Sequence, residues 1–173
     1  MGLDPARIAP IKLVIFDVDG VLTDGRIVIN DKGVESKFFN VRDGHGLKLM
    51  QRAGLQAAFL TGRQSRVVDL RAAELGVKLV YQGVKNKIEV YEQILAEQSL
   101  TDTQIAFAGD DLVDLPVMRR VGLALAPIDA IDEVKAVAHY ICGLEGGRGA
   151  AREMVEFILK SQGRWDKVTA RYY

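Results

Sequence analysis

Six aspartates fall in two short runs, and each run follows a stretch of apolar residues: Asp17-Val18-Asp19-Gly20-Val21-Leu22-Thr23-Asp24 and Gly109-Asp110-Asp111-Leu112-Val113-Asp114. Residues i and i+2 of an extended chain point the same way, so Asp17 and Asp19 could face one site. Carboxylates packed closely repel one another unless a cation lies between them. A set made only of oxygen donors selects a hard metal such as Mg²⁺. The plainer readings are a turn at Asp19-Gly20 and a helix cap at Asp114. Two further segments could serve an anion. Leu60-Thr61-Gly62-Arg63 offers a hydroxyl, a backbone amide beside a small residue and a following helix N-terminus, which together suit a phosphate as well as a simple cap. Lys87 stands at a helix start, after Gly83-Val84-Lys85-Asn86. A lone lysine is usually a surface charge, but a cation is less favourable there than at a helix end, which leaves a specific partner open as the other reading.

The elements that must position these residues follow from periodicity. Ile11 to Phe16, Ala57 to Leu60, Val77 to Val80, Ile105 to Ala108, Leu123 to Leu125 and Tyr140-Ile141 are short apolar runs, as strands buried on both faces of a parallel sheet would be. Amphipathic helical patterns lie between them. The first has Asp43 as its expected N-cap and Gly54 past its end. Others run from about Gln64 to Leu75, through Ile88 to Leu95, from near Asp114, and from Ala150 to Lys160. The alternation predicts an α/β fold, a Rossmann-like parallel sheet sandwiched by helices. Residues 26–39 break it: β-branched and aromatic residues flank Asn30-Asp31-Lys32-Gly33, which reads as a β-hairpin inserted after the first strand. No insert long enough for a cap domain separates the motifs. One domain over residues 1–173 is expected. Residues 164–173 carry no clear pattern and are expected to be mobile or to depend on a partner.

Composition excludes several classes. The 173 residues are 49% hydrophobic, and 23 basic side chains balance 23 acidic ones. Disorder needs lower hydrophobicity and a larger net charge. Duplex nucleic-acid binding usually brings a basic excess. One cysteine, Cys142, permits no disulfide framework. No apolar run approaches the ~20 residues of a membrane helix, and the first ten residues do not read as a signal peptide. A cytoplasmic protein without membrane or nucleic-acid partners is expected. His45 and His139 lack a metal-ligand spacing. No Gly-x-Gly-x-x-Gly follows the first strand, which argues against a dinucleotide-binding protein.

The four chemistry-bearing segments, in this order, resemble the four motifs of the haloacid-dehalogenase-like phosphohydrolases. The resemblance covers nearly the whole chain. It extends to the cap-less branch that dephosphorylates 3-deoxy-D-manno-octulosonate 8-phosphate. That branch is suggested by Asp17 to Gly25, by the hairpin, by Val41-Arg42-Asp43-Gly44 and by Gly146-Gly147-Arg148-Gly149-Ala150. The resemblance implies a phosphoric monoester hydrolase in lipopolysaccharide precursor synthesis. Asp17 would be the nucleophile that forms an aspartyl-phosphate, and Asp19 the general acid and then base. Asp17, the backbone carbonyl of Asp19, and Asp110 would hold Mg²⁺. Thr61, Gly62 and Lys87 would bind the phosphoryl oxygens, and Asp111 and Asp114 would tune the metal and orient Lys87. Arg63 and Arg71 would meet the substrate carboxylate. A short hairpin should not close a small site alone. Relatives close it with a neighbouring subunit in a tetramer, for which Ile27, Ile29, Phe38 and Phe39 are the expected interface. The alternatives are a phosphatase for a sialic-type 9-phosphate and a catalytically idle relative acting as an assembly subunit.

Overall fold

In the computed structural model, which describes residues 5–173, the apolar runs become six parallel strands. They are β1 (Leu13–Phe16), β4 (Gln56–Leu60), β5 (Leu79–Tyr81), β6 (Ile105–Ala108), β7 (Leu123–Ala126) and β8 (Tyr140–Ile141), in the order β5-β4-β1-β6-β7-β8. Strands β1, β6 and β7 are buried at every residue, as their unbroken apolar sequences require. The chain leaves β1, builds outward through β4 and β5, then returns to β6 on the other side of β1. The strand order therefore reverses between β1 and β6. A crevice for ligands opens at the carboxyl ends of strands at such a point.

Alternate residues of β1 feed two cores. Val14 and Phe16 pack with Leu47 and Met50 of α2 (Val41–Arg52), Val68 and Ala72 of α3 (Arg66–Leu75), and Met154 and Ile158 of α7 (Ala150–Ser161). Leu13 and Ile15 pack on the opposite face with Tyr91 and Ile94 of α4 (Lys87–Gln98), Val117 and Met118 of α5 (Leu115–Met118), and Val134 of α6 (Asp132–Val137). The short helix α1 (Pro5–Ile8) precedes β1. Strands β2 (Val28–Ile29) and β3 (Glu35–Ser36) pair antiparallel as a separate small sheet within residues 26–39. Among the described residues no helix is long and apolar enough to cross a membrane.

Two local expectations change. Asn40, not Asp43, caps α2: its side chain accepts from Arg42 N, and Asp43 sits one turn inside. Asp43 is buried and caps a different helix. Its carboxylate accepts from Gly149 N at 3.3 Å and Arg152 N at 2.7 Å, joining the start of α2 to the start of α7. The segment 164–173 is folded rather than mobile. Helix α8 (Trp165–Thr169) buries Val168 and Thr169, and a turn of 3₁₀ helix follows over Ala170–Tyr172. Arg152 and Lys160 lie over the Trp165 ring, and the Tyr172 hydroxyl bonds His45 Nε2 and Arg52 Nη1. Five helical residues are too few to show a 3.6-residue period, so these contacts leave no pattern in the sequence.

Candidate active site

The crevice between β1 and β6 gathers the acidic residues. Asp17 is the first residue past β1, and its N–H donates to Ala108 O at 2.9 Å, which continues the parallel pairing to β6. Its Oδ1 accepts from Val18 N at 2.7 Å and lies 3.0 Å from Lys87 Nζ. Lys87 opens α4 and is buried, with its ammonium 2.6 Å from Asp114 Oδ1. Asp114 is fully buried, and its Oδ2 accepts from Asp110 N at 3.0 Å and Asp111 N at 3.3 Å. One carboxylate thus folds the Gly109-Asp110-Asp111 turn and presents Lys87 to Asp17.

Glycine is required where the two loops meet. Gly20 has φ +99°, and a Cβ there would stand 2.0 Å from Asp110 Oδ2. A Cβ on Gly146 would stand 1.8 Å from Gly20 O. The Gly146-Gly147 segment therefore lies against the loop after β1, and Gly147 N donates to Val21 O at 3.0 Å. With Asp43 holding Gly149, the Val41-Arg42-Asp43-Gly44 and Gly146-to-Ala150 signatures become parts of one support beneath the acidic loop.

Carboxylate oxygens of Asp17, Asp110 and Asp114 lie within 4.8 Å of one another. Burial raises Asp17 to about 7; Lys87 opposes that rise and Asp114 adds to it. Burial, then Asp17 and Asp114, raise Asp110 to about 8. For Lys87 burial alone acts downward, but Asp17 and Asp114 outweigh it and hold the ammonium above its usual value. Asp110 Oδ1 is buried and has no hydrogen-bond partner. This donor set suits a hard divalent cation. Asp114 has both oxygens engaged by Lys87 and two N–H groups, which leaves Asp17 and Asp110 as the carboxylates free to take one.

A pH dependence follows for metal-free protein. Between about pH 4, where Asp17 and Asp110 titrate in the unfolded chain, and about pH 7–8, the folded protein holds more protons on them. These groups therefore take stability away as pH rises through that window. In a chelator, the melting temperature of wild type relative to Asp110→Asn should fall from pH 5 to pH 8, and Mg²⁺ should flatten the slope. A constant difference would show that the cluster does not titrate there.

The remaining expected site residues divide. Thr61 is buried at the end of β4; its Oγ1 accepts from Arg63 N at 3.4 Å and its carbonyl from Val84 N at 3.2 Å, so the loops after β4 and β5 are tied together. Gly62 lies beside Val84 O, 3.5 Å from where its Cβ would be. Asp111 does not touch Lys87: its carboxylate accepts from Leu112 N, and Asp114 alone of the two orients the lysine. Arg71 bonds Glu74 and Asn40 O and lies over the Phe39 ring, so in its own chain it braces the start of α2. Arg63 reaches Glu35 Oε1 at 2.9 Å.

Sequence reasoning missed Glu35 and Lys37. The Lys37 ammonium pairs with Asp19 Oδ1 and stands 3.5 Å from Glu35 Oε1, and its side chain is only 2% exposed. The second oxygen of Asp19 is buried without a partner. A signal exists in the alternation: Glu35 and Lys37 turn inward while Val34 and Phe38, 57% and 60% exposed, turn outward. Charged-in and apolar-out reverses the usual pattern of a half-buried strand. The hairpin segment thus contributes Lys37 to Asp19 and Glu35 to Arg63 within its own chain.

The profile of haloacid dehalogenase-like hydrolases matches residues 79–154. The chain is 42% identical over 163 residues to the 3-deoxy-D-manno-octulosonate 8-phosphate phosphatase KdsC of Yersinia pestis, a match that spans 94% of this chain and 87% of that protein. A crystal structure of a probable YrbI-family phosphatase from Pseudomonas syringae superposes with a TM-score of 0.95 at 45% identity, over 97% of this chain and 96% of the other. The octulosonate 8-phosphate phosphatase of Moraxella catarrhalis, solved with a magnesium ion, a phosphate ion and a KDO molecule, superposes with a TM-score of 0.95 at 37% identity, over 98% and 97%. The aspartates brought together at the β1–β6 crevice and this identity along nearly the full length carry one conclusion: the chain belongs to the haloacid dehalogenase-like hydrolases, in the branch of the 3-deoxy-D-manno-octulosonate 8-phosphate phosphatases.

Proposed function

We propose that this protein is a phosphoric monoester hydrolase that converts 3-deoxy-D-manno-octulosonate 8-phosphate to the free sugar acid and phosphate, in the cytoplasm and as one domain over residues 1–173. The observation that carries the reading is the buried Asp17–Lys87–Asp114 triad beside Asp110 at the β1–β6 crevice, in a chain 42% identical to an enzyme of that name. A carboxylate of Asp17 attacks phosphorus, and the sugar oxygen leaves with a proton from Asp19. Water then gives a proton to Asp19 and attacks the aspartyl-phosphate, which frees phosphate and regenerates Asp17. Lys87 and the Thr61 hydroxyl, with Gly62 N–H, receive the charge spread over the phosphoryl oxygens. Asp17, Asp110 and the carbonyl of Asp19 would hold Mg²⁺, which when bound offsets repulsion between the carboxylate and the phosphate dianion. Asp114 acts through Lys87. Asp111 shapes the turn, its carboxylate accepting from Leu112 N.

Selection for the acid sugar rests on Arg63, whose guanidinium stands at the rim of the crevice and suits a carboxylate. Arg71 would serve a neighbouring subunit. Bonds between charged partners contribute roughly 1.5–3 kcal/mol each, so Arg63→Ala should lower kcat/KM for the octulosonate 8-phosphate about 10–100-fold. It should leave a neutral hexose 6-phosphate nearly unaffected. Equal wild-type kcat/KM for these two would defeat the carboxylate reading. A preference for a sialic-type 9-phosphate would keep the chemistry and move the substrate.

A homotetramer closed by the hairpins follows from the same segment. Of the expected interface Ile27, Ile29 and Phe38 are each more than half exposed, as is Val34 beside them, whereas Phe39 packs on the chain's own core. Covering such a patch with other subunits removes apolar surface from water. Phe38→Asp should lower both the sedimentation coefficient and kcat/KM. A wild-type protein that sediments as a monomer at assay concentration would end this part of the proposal.

A further inference from the structure

Glu35 sits between two cations that face the crevice. Its Oε1 accepts from Arg63 Nη2 at 2.9 Å and lies 3.5 Å from Lys37 Nζ, and its side chain is 17% exposed. Lys37 in turn pairs with Asp19. The ladder Asp19–Lys37–Glu35–Arg63 therefore runs from the loop after β1, across the hairpin, to the loop after β4. Arg63 can grip an incoming carboxylate fully only when its own carboxylate partner lets go.

We propose that Glu35 is an internal competitor, a carboxylate that holds Arg63 until the carboxylate of an acid sugar displaces it, and so weakens the grip on the sugar acid that the reaction releases. The proposal rests on the acid-sugar reading above and adds to it what limits the hold on the product's carboxylate. A ligand with a carboxylate exchanges one ion pair for another at Arg63. A neutral sugar phosphate has nothing to exchange, and it meets a rim whose cations are already matched. Without Glu35, Lys37 keeps Asp19, and Arg63 meets a sugar carboxylate with no competitor.

The test is Glu35→Gln, which keeps the shape and removes the charge. Free octulosonate, the product, is the probe, used as a competitive inhibitor of p-nitrophenyl phosphate hydrolysis with Mg²⁺ present. Its inhibition constant should fall about 10-fold in the variant, the change expected when one charged competitor is removed. The KM of a neutral hexose 6-phosphate should change by less than about 2-fold, since that ligand never engages the exchanged pair. An unchanged or weakened inhibition by octulosonate in a variant that melts like wild type overturns the proposal. Wild-type protein that prefers the acid sugar while the variant shows no gain removes Glu35 alone. Wild-type protein with no such preference removes the substrate reading and the proposal with it. Should the variant not fold, a crystal structure of wild-type protein with octulosonate decides: Arg63 should have left Glu35 for the sugar carboxylate, and an intact Arg63–Glu35 bond with the sugar bound overturns the idea.

Discussion

Asp17→Asn is expected to abolish phosphate release, with a loss of at least ~10³-fold in kcat, while the protein melts no lower than the wild type. The two halves of that expectation come from the same geometry. The amide has neither the negative charge nor the second nucleophilic oxygen that forms the acyl phosphate. Yet it is isosteric, and its carbonyl can still accept from Val18 N, as Oδ1 does at 2.7 Å. Lys87 loses one charged partner and keeps the closer one, Asp114 at 2.6 Å. The carboxylate of Asp17 is also held under opposition: burial lifts it to about 7 in spite of Lys87. Replacing it with a neutral group relieves the repulsion felt by Asp110 and Asp114, so the metal-free Asp17→Asn variant should be at least as stable as wild type near neutral pH. Phosphate release within about 10-fold of wild type would remove Asp17 as the nucleophile. A collapse of the melting temperature would show that the carboxylate is needed for the fold itself.

The parts of this site that were legible in the sequence are those fixed by local chain geometry. An apolar run ending in Asp-x-Asp-Gly can be read as a buried strand with its loop, and Asp17 does stand at the end of β1 beside β6. The same holds for Asp110 after β6 and Thr61 after β4, because strand termini at one edge of a parallel sheet converge whatever the loops do. What was not legible depends on contacts between residues distant in sequence. Lys37 lies 18 residues from the Asp19 it pairs with, and Asp43 lies 109 residues from the Arg152 N–H it accepts. Asp43 at the first turn of a helix reads as a local cap, and only packing of α2 on α7 reveals that it caps another helix. Arg71 could be placed at the substrate by its motif position, but nothing in the sequence shows that Asn40 O, Glu74 and the Phe39 ring already hold it.

The inward Glu35 and Lys37 and the outward Val34 and Phe38 also bring the two proposed roles of the hairpin into one observation. Charges that would normally meet solvent are turned to the crevice, and apolar side chains that would normally be buried are turned out. A strand pair of two residues each has little stability of its own. Its position must come from the ion ladder beneath it and from whatever covers its outer face. In the proposed tetramer, closing the site and assembling subunits would be coupled through this one segment, so a variant that breaks the outer contacts should also loosen the ladder and raise KM.

Lys87→Met should lower activity about 10²–10³-fold, the usual cost of removing one donor to a developing phosphoryl charge, and should also destabilise the protein by about 3–5 kcal/mol. The second effect separates Lys87 from Asp17. Lys87 is the buried cation among Asp17, Asp110 and Asp114, whose oxygens lie within 4.8 Å of one another. Its removal leaves two buried carboxylates and one half-buried one facing each other. A loss of that size in a chain of this length corresponds to roughly 10 °C in melting temperature. Arg should not rescue: its planar guanidinium is bulkier than the ammonium, which sits 5.9 Å from the centre of the Phe107 ring and 2.6 Å from Asp114. The double variant Lys87→Met with Asp114→Asn tells the two roles apart. The amide that replaces the Asp114 carboxylate can still accept from Asp110 N and Asp111 N, which keeps the turn, while one uncompensated charge is gone. Melting temperature should recover in part and activity should not, because the phosphoryl oxygens still lack their cation. If the double variant regains activity along with stability, Lys87 acts only by holding the fold. If Lys87→Met alone melts like wild type, the buried carboxylates share protons or cations well enough without it, and the lysine belongs to substrate binding alone.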